Sequence, residues 1–278
     1  MNINKTIFIT GSTDGIGKAL ALQLLQENHQ VIFHGRNKER LNSVLKEIKE
    51  KTGKICLGYL ADLSNFEDIS LMCEKIQKEV NSIDVLIHNA GTYEKSLQFN
   101  KDGIEKTFAV NYISNVLINE KLFHYFNQNL EERKKNQKNL RIILVSSIAH
   151  QSGQFSLEYW FKPDTYNPYL AYANSKMAQI MYCYYISEYF KEFYITINTL
   201  HPGVIDTKIL RDNFGMKGAP ISEGTKTIYY LALSKEVENI TGKYFINQKI
   251  EQSSPDTYNK EYQEKLYLKT KEVIQSYL

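Results

Sequence analysis

Short apolar runs alternate along this chain with longer amphipathic stretches. Runs at Ile7–Thr10, Val31–His34, Ile55–Leu60, Val85–His88, Ile142–Val145, Ile195–Leu200 and Tyr244–Ile246 predict seven strands. Most are apolar at successive rather than alternate positions, which suits strands covered by helices on both faces. Helix-length stretches lie between and after them, at Ile16–Glu27, Lys38–Lys51, Phe66–Val80, Asp102–Phe126, Tyr172–Phe190, Glu223–Leu233 and Tyr262–Ser276. Ser64 with Glu67 reads as a capping box at the third helix. With right-handed crossovers, the alternation predicts one α/β domain over residues 1–278: a doubly wound, mostly parallel seven-stranded sheet with helices on both faces. In such a sheet a ligand sits at the carboxyl ends of the strands. Two segments break the alternation, Gln151–Leu170 and Ile205–Pro220, and both follow strands on that side. Long irregular connections in compact domains are commonly functional.

The first strand runs directly into Thr10-Gly11-Ser12-Thr13-Asp14-Gly15-Ile16-Gly17, and a helix and second strand follow. Glycine here allows a tight strand-to-helix turn and lets backbone approach a pyrophosphate at the positive end of the helix. A glycine-rich spacing alone is a weak signal, but within a βαβ unit it predicts a nucleotide-binding Rossmann fold. Asp14 within the loop is expected to point to solvent or to cap the helix.

Composition narrows the chemistry. The 34 Lys and Arg against 31 Asp and Glu leave a net charge of +3, and the charges are dispersed, so the basic stripe of a nucleic-acid binder is lacking. The densest charge run, Glu131–Lys135, reads as a solvated connection. Six histidines lack paired metal spacing, and Cys56, Cys73 and Cys183 lie far apart, so neither a metal site nor a disulfide framework is expected. The first strand begins near residue 1 and no apolar run of membrane-spanning length occurs. No membrane anchor is therefore expected, and a cytoplasmic location is the default.

The second strand ends His34-Gly35-Arg36-Asn37. An acid at this point would bind the adenosine ribose hydroxyls of NAD, whereas arginine suits a ribose phosphate. Gly35 stands where the acid is wanted and Arg36 follows, so NADP(H) is expected in preference to NAD(H). Tyr172-Ala173-Asn174-Ser175-Lys176 opens a helix and puts Tyr172 and Lys176 on one face. Bringing a phenol from a pKa of about 10 to near 7 takes about 4 kcal/mol. An ammonium at about 4 Å supplies that much at an effective dielectric of about 20, so Lys176 is expected to shift Tyr172 toward general acid/base use. The same spacing recurs in Tyr267-Leu268-Lys269-Thr270-Lys271, on a polar terminal helix with no cofactor elements before it, and that pair reads as structural.

Taken with these motifs, the chain resembles the short-chain dehydrogenase/reductase family over nearly its full length. Thr10 to Gly17 match the family's glycine motif (Gly11, Ser12, Thr13, Asp14, Gly15, Ile16 and Gly17 being the expected cofactor contacts, with Arg36 and Asn37). Asp62-Leu63 match its adenine-contacting pair and Asn89-Ala90-Gly91 its fourth-strand motif. Asn111, Ser147, Tyr172 and Lys176 match its catalytic tetrad, and Pro202-Gly203-Val204 with Thr207 its nicotinamide loop. Ser147 and Tyr172 are 25 residues apart, which resembles the retinol-dehydrogenase-like branch, as do His201-Pro202-Gly203-Val204 and Gly242-Lys243-Tyr244-Phe245. His88 departs from the family, where an asparagine is common, and reads as packing at a strand end.

The resemblance implies hydride transfer between a nicotinamide and a small carbonyl or alcohol substrate. Tyr172 would carry the proton, Ser147 would bind the substrate oxygen, Lys176 would hold the ribose, and Asn111 would support a water leading to Lys176. Phe155, Leu157, Tyr159, Trp160, Phe161 and Tyr166, with Leu210, Phe214 and Met216, are candidates for an apolar substrate wall, Trp160 and Phe214 foremost. The same aromatics could cover the core or the interface of a homo-oligomer. Two other functions share parts of the pattern: an NADPH-binding regulator without turnover, and a sugar epimerase or dehydratase using the same Tyr/Lys pair.

Overall fold

The computed structural model describes residues 4–161 and 163–278. Its sheet is built from β1 (Thr6–Ile9), β2 (Gln30–Gly35), β3 (Gly58–Leu60), β4 (Val85–His88), β5 (Leu140–Val145), β6 (Ile195–His201), β7 (Tyr244–Ile246) and β8 (Lys249–Glu251). The strand order is β3-β2-β1-β4-β5-β6-β7-β8. Ile7 of β1 pairs in parallel with Val31 of β2 on one side and Val85 of β4 on the other, so the order reverses at β1. A crevice opens where the connections leave β1 and β4 in opposite directions. The fully buried strands β4, β5 and β6 confirm the two-sided cover expected from their unbroken apolar runs.

One face of the sheet is covered by α1 (Gly15–Gln26), α2 (Lys38–Thr52) and α10 (Ile221–Leu233), which enclose a core around Ile7, Leu24, Phe33, Ile143 and Ile228. The other is covered by α3 (Phe66–Glu79), α5 (Ser114–Asn127), α8 (Pro168–Lys191) and α11 (Lys260–Ile274), around Phe8, Phe66, Leu117, Met181 and Leu266. The helix expected over Asp102–Phe126 starts later, at α4 (Lys106–Phe108), because the Glu105 carboxylate accepts from Thr107 N at 2.8 Å and Phe108 N at 2.7 Å. A π-turn over Ala109–Ile113 then joins α4 to α5. Helix α8 begins four residues before Tyr172, with Asn167 as cap and Pro168 in the first turn, where its missing N–H costs nothing.

Four details differ from expectation. The eighth strand, β8, pairs antiparallel with β7 through Asn247 and Gln248 at φ 49° and 65°. Two successive left-handed residues make a tight hairpin, and the exposed Lys249-Ile250-Glu251 gives no apolar run to find. The run from Ile55 pairs only over Gly58–Leu60 at the sheet edge, leaving Ile55 84% exposed. Glu131–Lys135 falls in a short helix, α6 (Leu130–Asn136), with acids in its first turn and bases in its last, as the helix dipole favours. Finally, Asn65 rather than Ser64 caps α3, while Ser64 is held by the Asp62 carboxylate.

Candidate active site

A cleft of about 670 Å³ opens at the carboxyl ends of the strands. Of the residues singled out from the sequence, Gly11, Thr13, Asp14, Gly15, Ile16, Arg36, Asp62, Leu63, Asn89, Ala90, Gly91, Ser147, Tyr172, Lys176, Pro202, Gly203, Val204, Thr207 and Phe214 line it. Ser12, Gly17 and Asn111 are buried behind the wall, Asn37 is an exposed cap of α2, and Trp160 lies elsewhere.

The glycine turn is pinned from three sides. Gly11 has φ 65°, and a Cβ there would come within 2.9 Å of Ala90 Cα, so β1 and β4 approach as closely as only glycine permits. Gly17 serves packing as well, since its Cβ would strike Asn89 Nδ2 and Gly11 O. Gly15, at φ 54°, has no protein atom within 4 Å of that position, so its backbone faces open cleft. Asn89 Nδ2 donates to Thr10 O at 3.0 Å and Gly11 O at 3.1 Å. Ser12 faces inward, its Oγ accepting from His34 N at 2.9 Å.

His34, which sequence reasoning passed over, completes the clamp. Its Nδ1 accepts from Gly11 N at 3.0 Å, so Nε2 carries the proton and donates to Ala61 O at 3.1 Å. Burial drives its pKa down to about 4, which keeps it neutral in this role.

The open backbone at Gly15, the start of α1 and the cleft volume fit a dinucleotide. At the adenosine end, a Cβ on Gly35 would meet Thr13 Cγ2 at 2.7 Å, so any side chain there would require Thr13 to shift. Arg36 is exposed at the rim. Asn37 is a helix cap, its Oδ1 accepting from Arg40 N at 2.8 Å. Asp14 does cap α1, accepting from Gly15 N, and it also pairs with Lys208 at 2.5 Å and Arg40 at 3.4 Å. The Lys208 bond is the main reason its carboxyl is held below the usual range. Arg40 and Lys208 had no sequence motif to mark them; the contact of Lys208 with Asp14, 194 residues apart, is visible only in the fold.

At the other end, Lys176 is buried, with Nζ donating to Val145 O at 2.9 Å and Gln179 Oε1 at 3.1 Å. Burial lowers its pKa to about 7. Nζ stands 5.6 Å from the centroid of the Tyr172 ring. The Tyr172 phenol is pushed up to about 12 by burial, against the pull of the Ser147 hydroxyl. Lys176 does not offset this rise, because its amine is drawn back to two carbonyl acceptors and is itself easily neutralised.

Asn111 sits in the π-turn. Its Nδ2 donates to Thr92 O at 3.0 Å and Ser175 Oγ at 2.9 Å, and its Oδ1 accepts from Thr92 N at 2.7 Å. Its main-chain carbonyl accepts from Asn115 Nδ2 at 2.8 Å. These bonds make it a brace for the loop after β4. Gly91 places that loop beside Lys176: a Cβ there would be in ordinary contact, 3.4 Å from Asn111 Oδ1 and 3.6 Å from Lys176 Nζ.

The apolar wall comes mainly from the segment Ile205–Pro220, with Tyr169 added from the end of Gln151–Leu170. Leu210, Phe214 and Met216 line the cleft, and Phe214 packs edge-on to Tyr93 and Tyr169, with Tyr93 next to Tyr172. Thr207 caps α9 (Lys208–Phe214) and fixes its start. Trp160 is a correction. In α7 (Leu157–Phe161) it is 2% exposed, packs on Phe108 and Phe155, and donates Nε1–H to Gln154 O at 2.9 Å. A short amphipathic turn rolls that segment's aromatics onto the core, and Tyr166 ties it down through Glu94 O. Lys162, in the same segment, lies outside the described residues. Tyr169, three residues before Tyr172, was the aromatic to find: helical spacing puts both on one face.

The second Tyr/Lys pair is structural. Tyr267 donates to Glu120 at 2.6 Å and stacks on Tyr182, while Lys271 holds the other oxygen of Glu120. His88 is fully buried, with Nε2 bonded to Asn119 Oδ1 at 2.9 Å, and burial lowers its pKa to about 4. No helix among the described residues is long and apolar enough to cross a membrane, and none of their His, Cys, Asp and Glu side chains cluster as a metal site.

Comparison with known proteins agrees with the geometry. The family model for short chain dehydrogenases matches residues 5–217. Human polyprenol dehydrogenase is 28% identical over 284 residues, covering 97% of this chain and 85% of that protein. Mouse retinol dehydrogenase 14 is 27% identical over 288 residues, covering 95% and 84%. Among solved structures, a gluconate 5-dehydrogenase from Burkholderia cenocepacia in complex with NADP and tartrate superposes with a TM-score of 0.68 at 18% identity, over 88% of this chain and 94% of that one. A 3-ketoacyl-(acyl-carrier-protein) reductase from Brucella melitensis complexed with NADH gives a TM-score of 0.67 at 23% identity, over 87% and 95%. With the glycine turn, the cleft and the Ser147, Tyr172 and Lys176 side chains in place, the chain belongs to the short-chain dehydrogenase family, in its retinol-dehydrogenase-like branch, and is an NAD(P)-dependent oxidoreductase.

Proposed function

We propose that the protein interconverts a carbonyl and an alcohol on a small lipophilic substrate and prefers NADP(H). The observation that carries this reading is the convergence of Ser147, Tyr172 and Lys176 on one cleft beside an apolar wall of Tyr169, Leu210 and Phe214. Arg36 at the rim, without a salt bridge among the described residues, and Gly35 in place of an acid support the phosphate-bearing cofactor. The names of the relatives, dehydrogenases of polyprenol and retinol, favour a lipophilic alcohol or its carbonyl.

The loop around Gly15, the rim at Arg36 and the Pro202-Gly203 turn would hold the cofactor, whose nicotinamide supplies the hydride when bound. Ser147 uses an Oγ lone pair on Ala149 N at 3.2 Å and keeps its proton for donation, which can pass from the Tyr172 phenol to the substrate oxygen and stabilise charge there. Tyr172 delivers its proton to that oxygen in the reductive direction and takes it back in the oxidative one. Lys176, with a pKa near neutrality, can donate or accept the next proton. A regulator that only binds would have no use for this set of groups.

The test is turnover. Purified protein is given NADPH or NADH with a panel of aldehydes and ketones graded in size and polarity, and loss of reduced-nicotinamide absorbance is followed. The reading expects faster turnover with NADPH and with lipophilic members. Inactivity with every carbonyl and every corresponding alcohol would overturn it.

A further inference from the structure

We propose that His150 is a positioning residue of the reaction: its ring sets the backbone of Ser147 from an anchor in the segment after β8, and so aims the Ser147 hydroxyl. The inference rests on the oxidoreductase reading of the cleft. His150 lies in the 3₁₀ turn that follows β5 (Ile148–Ser152), which Ser147 itself caps. The ring is fully buried. One ring nitrogen, Nδ1, lies 2.7 Å from Ser147 O, and the other, Nε2, lies 3.1 Å from Ser254 N.

A main-chain N–H can only donate and a carbonyl can only accept. Nε2 must therefore be the bare nitrogen and Nδ1 must carry the proton, so one neutral tautomer satisfies both bonds and the other satisfies neither. The ring is also held edge-on to Tyr244, with centroids 4.9 Å apart and planes at 67°.

The anchor is firm. Ser253 Oγ bonds Tyr184 OH at 2.8 Å and Thr257 Oγ1 at 2.7 Å, and Ser253 N donates to Tyr258 OH at 3.1 Å. Gln263 of α11 donates to Thr257 O at 2.7 Å. A polar knot on the far side of α8 is thus tied through one imidazole to the residue that meets the substrate oxygen. Ser147 has extended backbone, φ −155° and ψ 154°, and its carbonyl lies next in the chain to the torsion that carries Oγ. Without the ring the carbonyl keeps only the His150 main-chain N–H at 3.2 Å, so ψ is held less tightly and the hydroxyl's aim loosens.

Two measurements decide the matter. A long-range ¹⁵N–¹H spectrum of the ligand-free protein reads the tautomer directly, without turnover: His150 protonated on Nδ1 is expected, and protonation on Nε2 overturns the proposal. The second is a double-mutant cycle in single-turnover reduction of whichever carbonyl the native protein accepts. His150→Leu should slow the step about tenfold, the order expected for a buried hydrogen bond lost. Cofactor affinity should stay within about twofold, well short of that bond's worth. His150→Asn, which keeps a donor at the δ position, should recover most of the rate. In a Ser147→Ala background, His150→Leu should cost nothing more. If the two losses multiply, His150 acts on the fold alone and the proposal fails. An inactive native protein would count against the oxidoreductase reading, while the tautomer would still decide the geometry.

Discussion

Removing the Arg36 guanidinium should abolish the proposed preference for NADP(H) while leaving the fold untouched. Arg36 is exposed at the cleft rim, the first residue after β2, and makes no salt bridge among the described residues. The neighbouring Arg40 is 3.4 Å from Asp14, so part of its charge is already answered. A unit charge about 4 Å from a phosphate oxygen is worth about 4 kcal/mol at a dielectric of about 20 and about 1 kcal/mol in bulk water. A rim position lies between these limits, in line with about 1.5–3 kcal/mol for a hydrogen bond to a charged group. Arg36→Leu should then raise the Kd for NADPH by roughly 10- to 150-fold and leave that for NADH within about twofold. Added salt should shrink the native preference, because an exposed charge is screened beyond about 10 Å at 0.1 M. Arg36→Asp should go further and improve NADH by offering an acceptor to the ribose hydroxyls. Titration of nicotinamide fluorescence gives all of these constants. Equal native affinity for the two cofactors, or equal weakening of both by Arg36→Leu, would refute the assignment.

Phe214 and Trp160 separate the substrate wall from the core. Phe214→Ala should raise KM for bulky lipophilic carbonyls and spare small polar ones, whereas Trp160→Ala should cost about 3–5 kcal/mol of stability in denaturant titration with no such selectivity; the reverse pattern would restore Trp160 to the pocket. Lys176 should also leave a mark on stability. Burial takes its pKa from 10.5 to about 7, so the unfolded chain binds the extra proton between those values and stability should rise with pH across that window, by up to about 1.4 kcal/mol per unit. Lys176→Met should remove that part of the rise, and parallel denaturation curves for native and variant protein from pH 7 to 9 would contradict it. Tyr267→Phe should cost about 1 kcal/mol of stability, through the lost bond to Glu120, and leave turnover as it was.

Much of the cleft was legible because its parts are local. Gly11 to Gly17, Asn89 to Gly91 and Tyr172 to Lys176 are contiguous motifs attached to strands or helices whose periodicity is plain, and the doubly wound order carries them to one edge of the sheet. What escaped depends on partners distant in sequence. His34 clamps Gly11 from β2, and Lys208 reaches Asp14 across the cleft. The aromatic segment around Trp160 misled for another reason: aromatics serve core and pocket equally well, and only the direction in which α7 rolls decides between them. The eighth strand escaped because an exposed three-residue edge strand after a left-handed turn carries almost no apolar signal.

The central claim is that Tyr172, and not the equally spaced Tyr267, passes the proton while hydride moves in the same cleft. The most direct measurement is a single-turnover reaction with NADPH deuterated on the transferred face, following deuterium into the alcohol carbon for native protein, Tyr172→Phe and Tyr267→Phe, with cofactor affinity measured on each. The account predicts transfer in the native protein and in Tyr267→Phe, and near-complete loss in Tyr172→Phe at nearly unchanged NADPH affinity. Undiminished deuterium transfer by Tyr172→Phe would contradict it.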